Sequence, residues 1–187
     1  MSPRASEEDI ALVAKNEDQI RADVSIYSFD IAAMKKRVPG EDPTTAFVQA
    51  HLHLGHVITC LLSENIPNPR HLQLDRIGFS QKLQLVAALG LLAPFQLAPI
   101  KVVNAIRNKV AHKLEYLVTP EDEAKLRSSM GKHLTHDEDG TDSSLQMVLM
   151  MLAVMIDLHR QEHAFRRIMG RRAMVNARVV LDRADPQ

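Results

Sequence analysis

Apolar side chains recur at spacings of three and four residues along most of this 187-residue chain. That spacing places them on one face of an α-helix. Phe47, Ala50, Leu54, Ile58 and Leu61 form the clearest such series. Alternation of apolar and polar residues, which marks a β-strand, is hard to find, and there are only seven glycines. The pattern therefore predicts an all-α fold.

Capping residues, prolines and glycines mark the ends of the first three predicted helices. One helix is expected over residues 6–37, with Ser6 as its N-cap. A second is expected from Asp42-Pro43 to about residue 64, because proline is favoured in the first turn and residues 65–75 are interpreted as a connecting loop. A third is expected over 78–89, where Gly90 acts as a C-terminal stop signal.

Two further helices follow in the middle of the chain. Residues 94–98 are interpreted as a connector, and Pro99 is then placed in the first turn of a helix that runs to about His112. Thr119-Pro120 predicts the start of a short helix, which ends before Gly131.

The last quarter of the chain predicts a long helix after a polar linker. Residues 132–142 lack apolar periodicity, and a helix is expected from about 142 to 181. Its first half is apolar on nearly all sides, which is typical of a helix buried in a bundle or against a partner. Gly170 suggests a break within it. We therefore expect a helical bundle over 1–140 and a long C-terminal helix over 141–187 that packs on the bundle or on a dimer partner.

Three polar residues stand out near the end of the helix that reaches residue 112. Asn108 and His112 are four residues apart and share a face, and Arg107 is adjacent. Metal-free RNA cleavage needs a base near neutral pKa, which histidine supplies, and a cation for the phosphate, which arginine supplies. The alternative is that these three residues only cap the carbonyls at the helix end.

The stretch around these residues resembles the HEPN superfamily (higher eukaryotes and prokaryotes nucleotide-binding). It contains the Arg-polar-x(3–5)-His motif as Arg107, Asn108 and His112. Upstream, Phe79-Ser80-Gln81-Lys82-Leu83 and Ala88-Leu89-Gly90-Leu91-Leu92 are similar to the branch that contains the mannitol operon repressor family. The resemblance covers about residues 44–130.

The resemblance implies a HEPN-like helical bundle that forms a homodimer. In nuclease members of the superfamily, two copies of the motif form one composite, metal-independent site. Carried over by position, His112 would be the catalytic base, Arg107 the phosphate stabiliser and Asn108 the positioning amide. The chain would then be an RNA-binding protein and an endoribonuclease of toxin or defence type.

The resemblance also implies a second interpretation, and the chain departs from the HEPN toxins at one position. The repressor branch implies a non-catalytic helical regulator or protein-interaction module, with an antitoxin or a regulator as the protein partner. HEPN toxins that are controlled by AMPylation carry tyrosine two residues after the histidine. Here Leu114 occupies that position, and Tyr116 lies four residues after His112. Control by AMPylation of that tyrosine is therefore not expected.

The second half of the C-terminal helix is rich in arginine, although the chain as a whole has no net charge. Arg166, Arg167, Arg171 and Arg172 are the candidate nucleic-acid contacts there, because guanidinium groups match phosphate oxygens. Only Glu162 and Asp182 are expected to oppose the positive charge of this segment. A solvated helix face or an interface is the alternative for these arginines.

Composition and motifs also bear on disulfides, on localisation and on metal or cofactor binding. Cys60 is the single cysteine, so no intramolecular disulfide is expected, and no apolar run follows the N-terminus. No apolar stretch is expected to approach the length of a membrane helix. Cytoplasmic localisation is therefore expected, with no contact with a membrane. His53 and His56 lack further ligands at the spacing of a metal site, so we expect no metal and no cofactor.

Overall fold

The computed structural model describes residues 6–131 and 142–184, and this part of the chain contains no β-strand. The all-α prediction is confirmed. A short 3-10 turn covers Pro69–Leu72. The eight α-helices of the described residues are α1 (Glu7–Ala14), α2 (Glu17–Val24), α3 (Ile31–Arg37), α4 (Pro43–Asn65), α5 (Phe79–Ala88), α6 (Pro94–His112), α7 (Pro120–Ser128) and α8 (Leu145–Ala184).

The chain divides into two compact units. The larger unit spans residues 27–160, and the smaller unit combines the N-terminal residues up to 26 with the chain from residue 161 onward. Helix α8 thus contributes its apolar half to the larger unit and its arginine-rich half to the smaller one. The boundary expected at residue 140 from the sequence stays a prediction.

Helix α4 runs through the core of the larger unit. It begins at Pro43, where the Asp42 side chain accepts hydrogen bonds from the backbone N–H groups of Thr44 and Thr45. Phe47 and the following apolar face of the helix are fully buried, as the periodicity predicts. The buried face also includes Ala50, Leu54, Ile58 and Leu61.

Helix α4 is also long and apolar enough to cross a membrane by length and composition alone. The expectation that no stretch reaches that length is therefore wrong. Half of its most apolar window is buried inside the protein, and core helices pass the same test. The helix is thus weak evidence about membranes, and cytoplasmic localisation stays a prediction.

The apolar half of α8 lies in the same core as α4 and α6. Val148, Leu149, Leu152 and Ile156 are fully buried there. Met147, in contrast, is about half exposed. The burial accounts for the nearly continuous apolar sequence of this segment.

The single helix expected over residues 6–37 is wrong, because the chain forms three short helices there. The Asn16 side chain caps α2 by accepting from the backbone N–H of Gln19, and Lys15 before it is extended. The Asp30 side chain caps α3 by accepting from the N–H groups of Ala32 and Ala33. Asparagine and aspartate form such local bonds readily, and these interrupt a helix that apolar spacing alone would continue.

Helix α6 begins five residues earlier than expected. Pro94 occupies the first turn, and the buried Pro99 lies inside the helix. The ring nitrogen of Pro99 has no hydrogen to donate to the carbonyl of Phe95. The connector expected over 94–98 is therefore wrong.

Other boundaries vary in how well the sequence predicts them. Gly90 follows α5 with a φ of 65°, which glycine adopts without a side-chain penalty. Helix α7 begins at Pro120 behind the Thr119 cap, as expected. Helix α8 continues through Gly170, so the break expected there is wrong. Most of the linker expected over 132–142 lies outside the described residues.

Candidate functional site

The three residues of the candidate motif lie along the last two turns of α6. Arg107 and Asn108 are half-buried, and His112 is the exposed final residue of the helix. None of the three side chains makes a hydrogen bond or an ion pair within the described part of the chain. The backbone N–H of Lys113 binds the Lys109 carbonyl instead. No hydrogen bond among the described residues therefore supports a capping role for the three side chains.

Arg107 lies close enough to the buried His51 of α4 to affect its protonation. Burial lowers the pKa of His51 and the positive charge of Arg107 lowers it further, outweighing the hydrogen bond with Asn104. His51 is therefore neutral at pH 7. Its ring also packs against Phe79, with the ring centroids 4.1 Å apart.

A chain of hydrogen bonds connects α4, α6 and α5 beside Arg107. The Nε2 of His51 lies 3.1 Å from the Oδ1 of Asn104, and the Nδ2 of Asn104 donates to the Oγ of Ser80 at 3.2 Å. The carboxamide oxygen accepts, so the Nε2 of His51 carries the proton. Neither Asn104 nor Ser80 is predicted from the sequence as a member of this cluster.

Helices α5 and α6 lie within the longest stretch of the sequence that contains no acidic residue. Residues 76–114 contain no aspartate or glutamate, although the whole chain has equal numbers of acidic and basic residues. The basic residues of this acid-free stretch are Arg76, Lys82, Lys101, Arg107, Lys109 and Lys113. Counting charge by segment would have found this asymmetry in the sequence.

Two of these cations have internal partners, and others do not. Lys82 donates to the Oγ1 of Thr59 at 2.8 Å, and Lys109 pairs with Asp122 at 2.9 Å. Lys101 and Arg107 pair with no acid among the described residues. The α5–α6 region therefore carries positive charge that can act on an external anion.

The arginines near the C-terminus are not a uniform cationic surface. Arg166 pairs with Glu162 on the same helix, and Arg171 donates to Asp9 of α1 at 2.8 Å. The hydrogen bond from Arg171 lowers the pKa of Asp9. Glu8 also lies 4.0 Å from Arg171. The expectation that only Glu162 and Asp182 oppose this positive charge is therefore wrong.

The remaining candidates of that segment differ in exposure. Arg167 is exposed, whereas Arg172 is half-buried, with its Nε atom buried and unbonded within the described residues. Arg160, which begins the arginine-rich sequence, is buried in ion pairs with Asp157 and Glu64. A sequence count of arginines cannot distinguish these environments.

Tyr116 is held by polar contacts just beyond α6. Its hydroxyl donates to the Asp122 carboxylate, and the Nζ of Lys109 lies 2.9 Å from the other carboxylate oxygen. The bond to Asp122 raises the pKa of Tyr116. These contacts attach the segment after His112 to α7.

Asp122 makes the stability of this attachment dependent on pH. Burial would raise the pKa of Asp122, but the hydrogen bonds from Tyr116 and Lys109 outweigh it and lower the pKa to about 2. The carboxylate therefore contributes stability above pH 4, and this is lost as the pH falls toward 2. We expect about 2 kcal/mol from this shift. Urea unfolding at several pH values measures it.

Asp122→Asn is the control for that prediction. This substitution keeps the size of the side chain but removes the carboxylate that titrates. The difference in free energy of unfolding between the variant and the wild type should therefore shrink as the pH falls from 4 to 2. A gap that stays constant over this range would contradict the role of Asp122.

The histidines of α4 have local partners. His53 donates from Nδ1 to the Gln49 carbonyl, and His56 donates from Nε2 to the Ser28 carbonyl. The donor–acceptor distance is 2.8 Å in both hydrogen bonds. Within the described ranges, no three histidine, cysteine or acidic side chains are grouped so that they could hold a metal ion.

Comparison with protein-family models, with curated proteins and with solved structures found no match for this chain. The resemblance to the HEPN superfamily thus depends on the residues of α5 and α6 themselves.

Proposed function

We propose that this chain is a HEPN-like RNA-binding protein that cleaves RNA without a metal ion, with Arg107, Asn108 and His112 at its site. The observation that carries the proposal is the charge of α5 and α6. The stretch that contains the motif has no acid in 39 residues, and Lys101 and Arg107 have no acidic partner in the described chain. Cations of this kind can contact the phosphates of RNA, and such contacts supply much of the affinity of proteins for nucleic acids.

The chemistry assigns one role to each residue of the motif. His112 is exposed and takes the proton of a ribose 2′-hydroxyl. The 2′-oxygen then attacks phosphorus, forming a 2′,3′-cyclic phosphate, and the bond to the 5′-oxygen breaks. That oxygen leaves with a proton as a 5′-hydroxyl. Arg107 stabilises the negative charge on the phosphate oxygens, and Asn108 orients the phosphate.

The proposal places two copies of the chain around one site. A single chain carries one motif, so His112 of one copy takes the 2′-hydroxyl proton and His112 of the second copy gives a proton to the leaving 5′-oxygen. Leu114 and Leu117, directly after His112, are largely exposed. A second copy packing against them would remove apolar surface from water beside the site.

Incubation of the purified wild-type protein with a structured RNA in excess EDTA tests this function. We expect fragments with 2′,3′-cyclic phosphate and 5′-hydroxyl ends. Cleavage that stops in EDTA would contradict the metal-independent mechanism. An intact RNA at micromolar protein would contradict the nuclease.

A second candidate function is that of a non-catalytic helical regulator. Exposed apolar side chains at both ends of α6 favour this candidate: Phe95 in its first turn and Leu114 just after its last residue. Such side chains mark surfaces that bind other proteins. This candidate predicts no RNA cleavage and a stable complex with a protein partner, an antitoxin or a regulator.

A further inference from the structure

A groove of about 280 Å3 lies between α5 and α6, in the acid-free stretch and next to the hydrogen-bonded cluster of His51, Asn104 and Ser80. Ser80, Gln84, Lys101 and Asn104 supply its polar walls, and Leu83 and Ala87 supply its apolar part. None of these residues is predicted from the sequence to belong to a site.

The polar groups of this groove are mainly hydrogen-bond donors. The Oδ1 of Asn104 accepts from His51 and one N–H of its amide donates to Ser80, so the other N–H has no partner among the described residues. The Oγ of Ser80 accepts from Asn104, so its own hydroxyl proton is free to donate. Lys101 adds an ammonium group that has no acidic partner among the described residues. Such a set matches a ligand rich in acceptor oxygens.

The size and lining of the groove narrow the ligand further. About 280 Å3 is at the small end for ligand sites, so the groove admits one ring system and excludes a duplex. Leu83 and Ala87 offer an apolar surface for the face of a base. RNA that is read in this way has its bases unpaired and turned outward.

We propose that this groove binds one unpaired nucleotide of single-stranded RNA, with Lys101 on a phosphate and with Ser80 and Asn104 on a carbonyl oxygen of the base. The inference rests on the proposed function, because it places this nucleotide on the same helix as the scissile phosphate. The donors favour uracil, whose edge carries two carbonyl oxygens, over adenine, whose edge carries none.

Fluorescence anisotropy with labelled eight-nucleotide RNAs in EDTA tests the groove independently of cleavage. We expect Lys101→Ala to weaken binding of oligo(U) about fivefold and to lower the salt slope by about 1. Gln84→Glu, which adds a negative charge to an exposed position of the groove, should weaken binding about tenfold. Lys36→Ala, at an exposed lysine of α3, is the matched control and should bind as the wild type does.

Separate measurements test whether the groove recognises an unpaired base. The wild type should prefer oligo(U) over oligo(A), and Ser80→Ala should reduce that preference toward one. A duplex of the same length should bind more weakly than the single strand. Equal affinity for single strand and duplex, or a base preference that Ser80→Ala leaves unchanged, would overturn the assignment of an unpaired base.

The outcomes for the groove and for cleavage can be separated. Wild-type affinity in both Lys101→Ala and Gln84→Glu overturns the groove even where RNA is still cleaved. Binding that depends on Lys101 without any cleavage supports the groove and contradicts the nuclease. A wild-type protein that binds none of the RNAs overturns both.

Discussion

Replacing His112 by alanine should lower the rate of metal-free RNA cleavage by at least about 100-fold, because a general base contributes about 10²–10⁴ to a rate. The side chain of His112 is exposed and forms no hydrogen bond within the described residues. Its removal should therefore leave the free energy of unfolding within about 0.5 kcal/mol of the wild type. Initial cleavage rates and urea unfolding curves provide the two measurements.

His71→Ala is the matched control for this prediction. His71 is an exposed histidine in the 3-10 turn after α4, outside the candidate site. The variant should cleave at the wild-type rate. If His112→Ala cleaved as fast as His71→Ala, His112 would not be the base.

Replacing Asp157 by alanine should destabilise the protein by about 3–5 kcal/mol, because it removes one of the two carboxylates that pair with the buried guanidinium group of Arg160. Asp157 is fully buried in α8 and accepts from the Nε of Arg160 at 2.8 Å. It also accepts from the hydroxyl and the backbone N–H of Ser28. The pKa of Asp157 is lowered by these bonds, which outweigh its burial.

Asp23→Ala is the control for the buried ion pair. Asp23 pairs with Lys15 at 2.6 Å, but both side chains are about half exposed. Breaking an exposed pair costs about 0–1 kcal/mol. Urea unfolding of the two variants should therefore differ by several kcal/mol. Equal losses would contradict this prediction and would show that Glu64 alone compensates the charge of Arg160.

The sequence predicts the parts of the fold that depend on local signals. Helix α4 was predicted from its apolar period and its Asp42-Pro43 start, and α7 from the Thr119 cap. The breaks before α2 and α3 depend on the side chains of Asn16 and Asp30 bonding to the backbone. Apolar spacing does not detect such bonds, so the prediction merged three helices into one.

The candidate site, like the fold, is predicted from the sequence only where local patterns determine it. The spacing of the motif residues predicts that they share one end of α6. The absence of acidic residues from residues 76–114 is also visible in the sequence, but only when charge is counted segment by segment. The pairing of Arg171 with Asp9 connects residues 162 positions apart, which no local pattern shows. The sequence therefore overstated the free charge of the C-terminal arginines and understated that of α5 and α6.

Photocrosslinking tests most directly whether α5 and α6 form the RNA surface. A single-stranded RNA that contains 4-thiouridine is bound to the full chain in EDTA and irradiated, and the crosslinked peptides are identified by mass spectrometry. We predict crosslinks within residues 79–112. Crosslinks confined to the arginine-rich residues 161–180, or an RNA that crosslinks nowhere, would contradict the account.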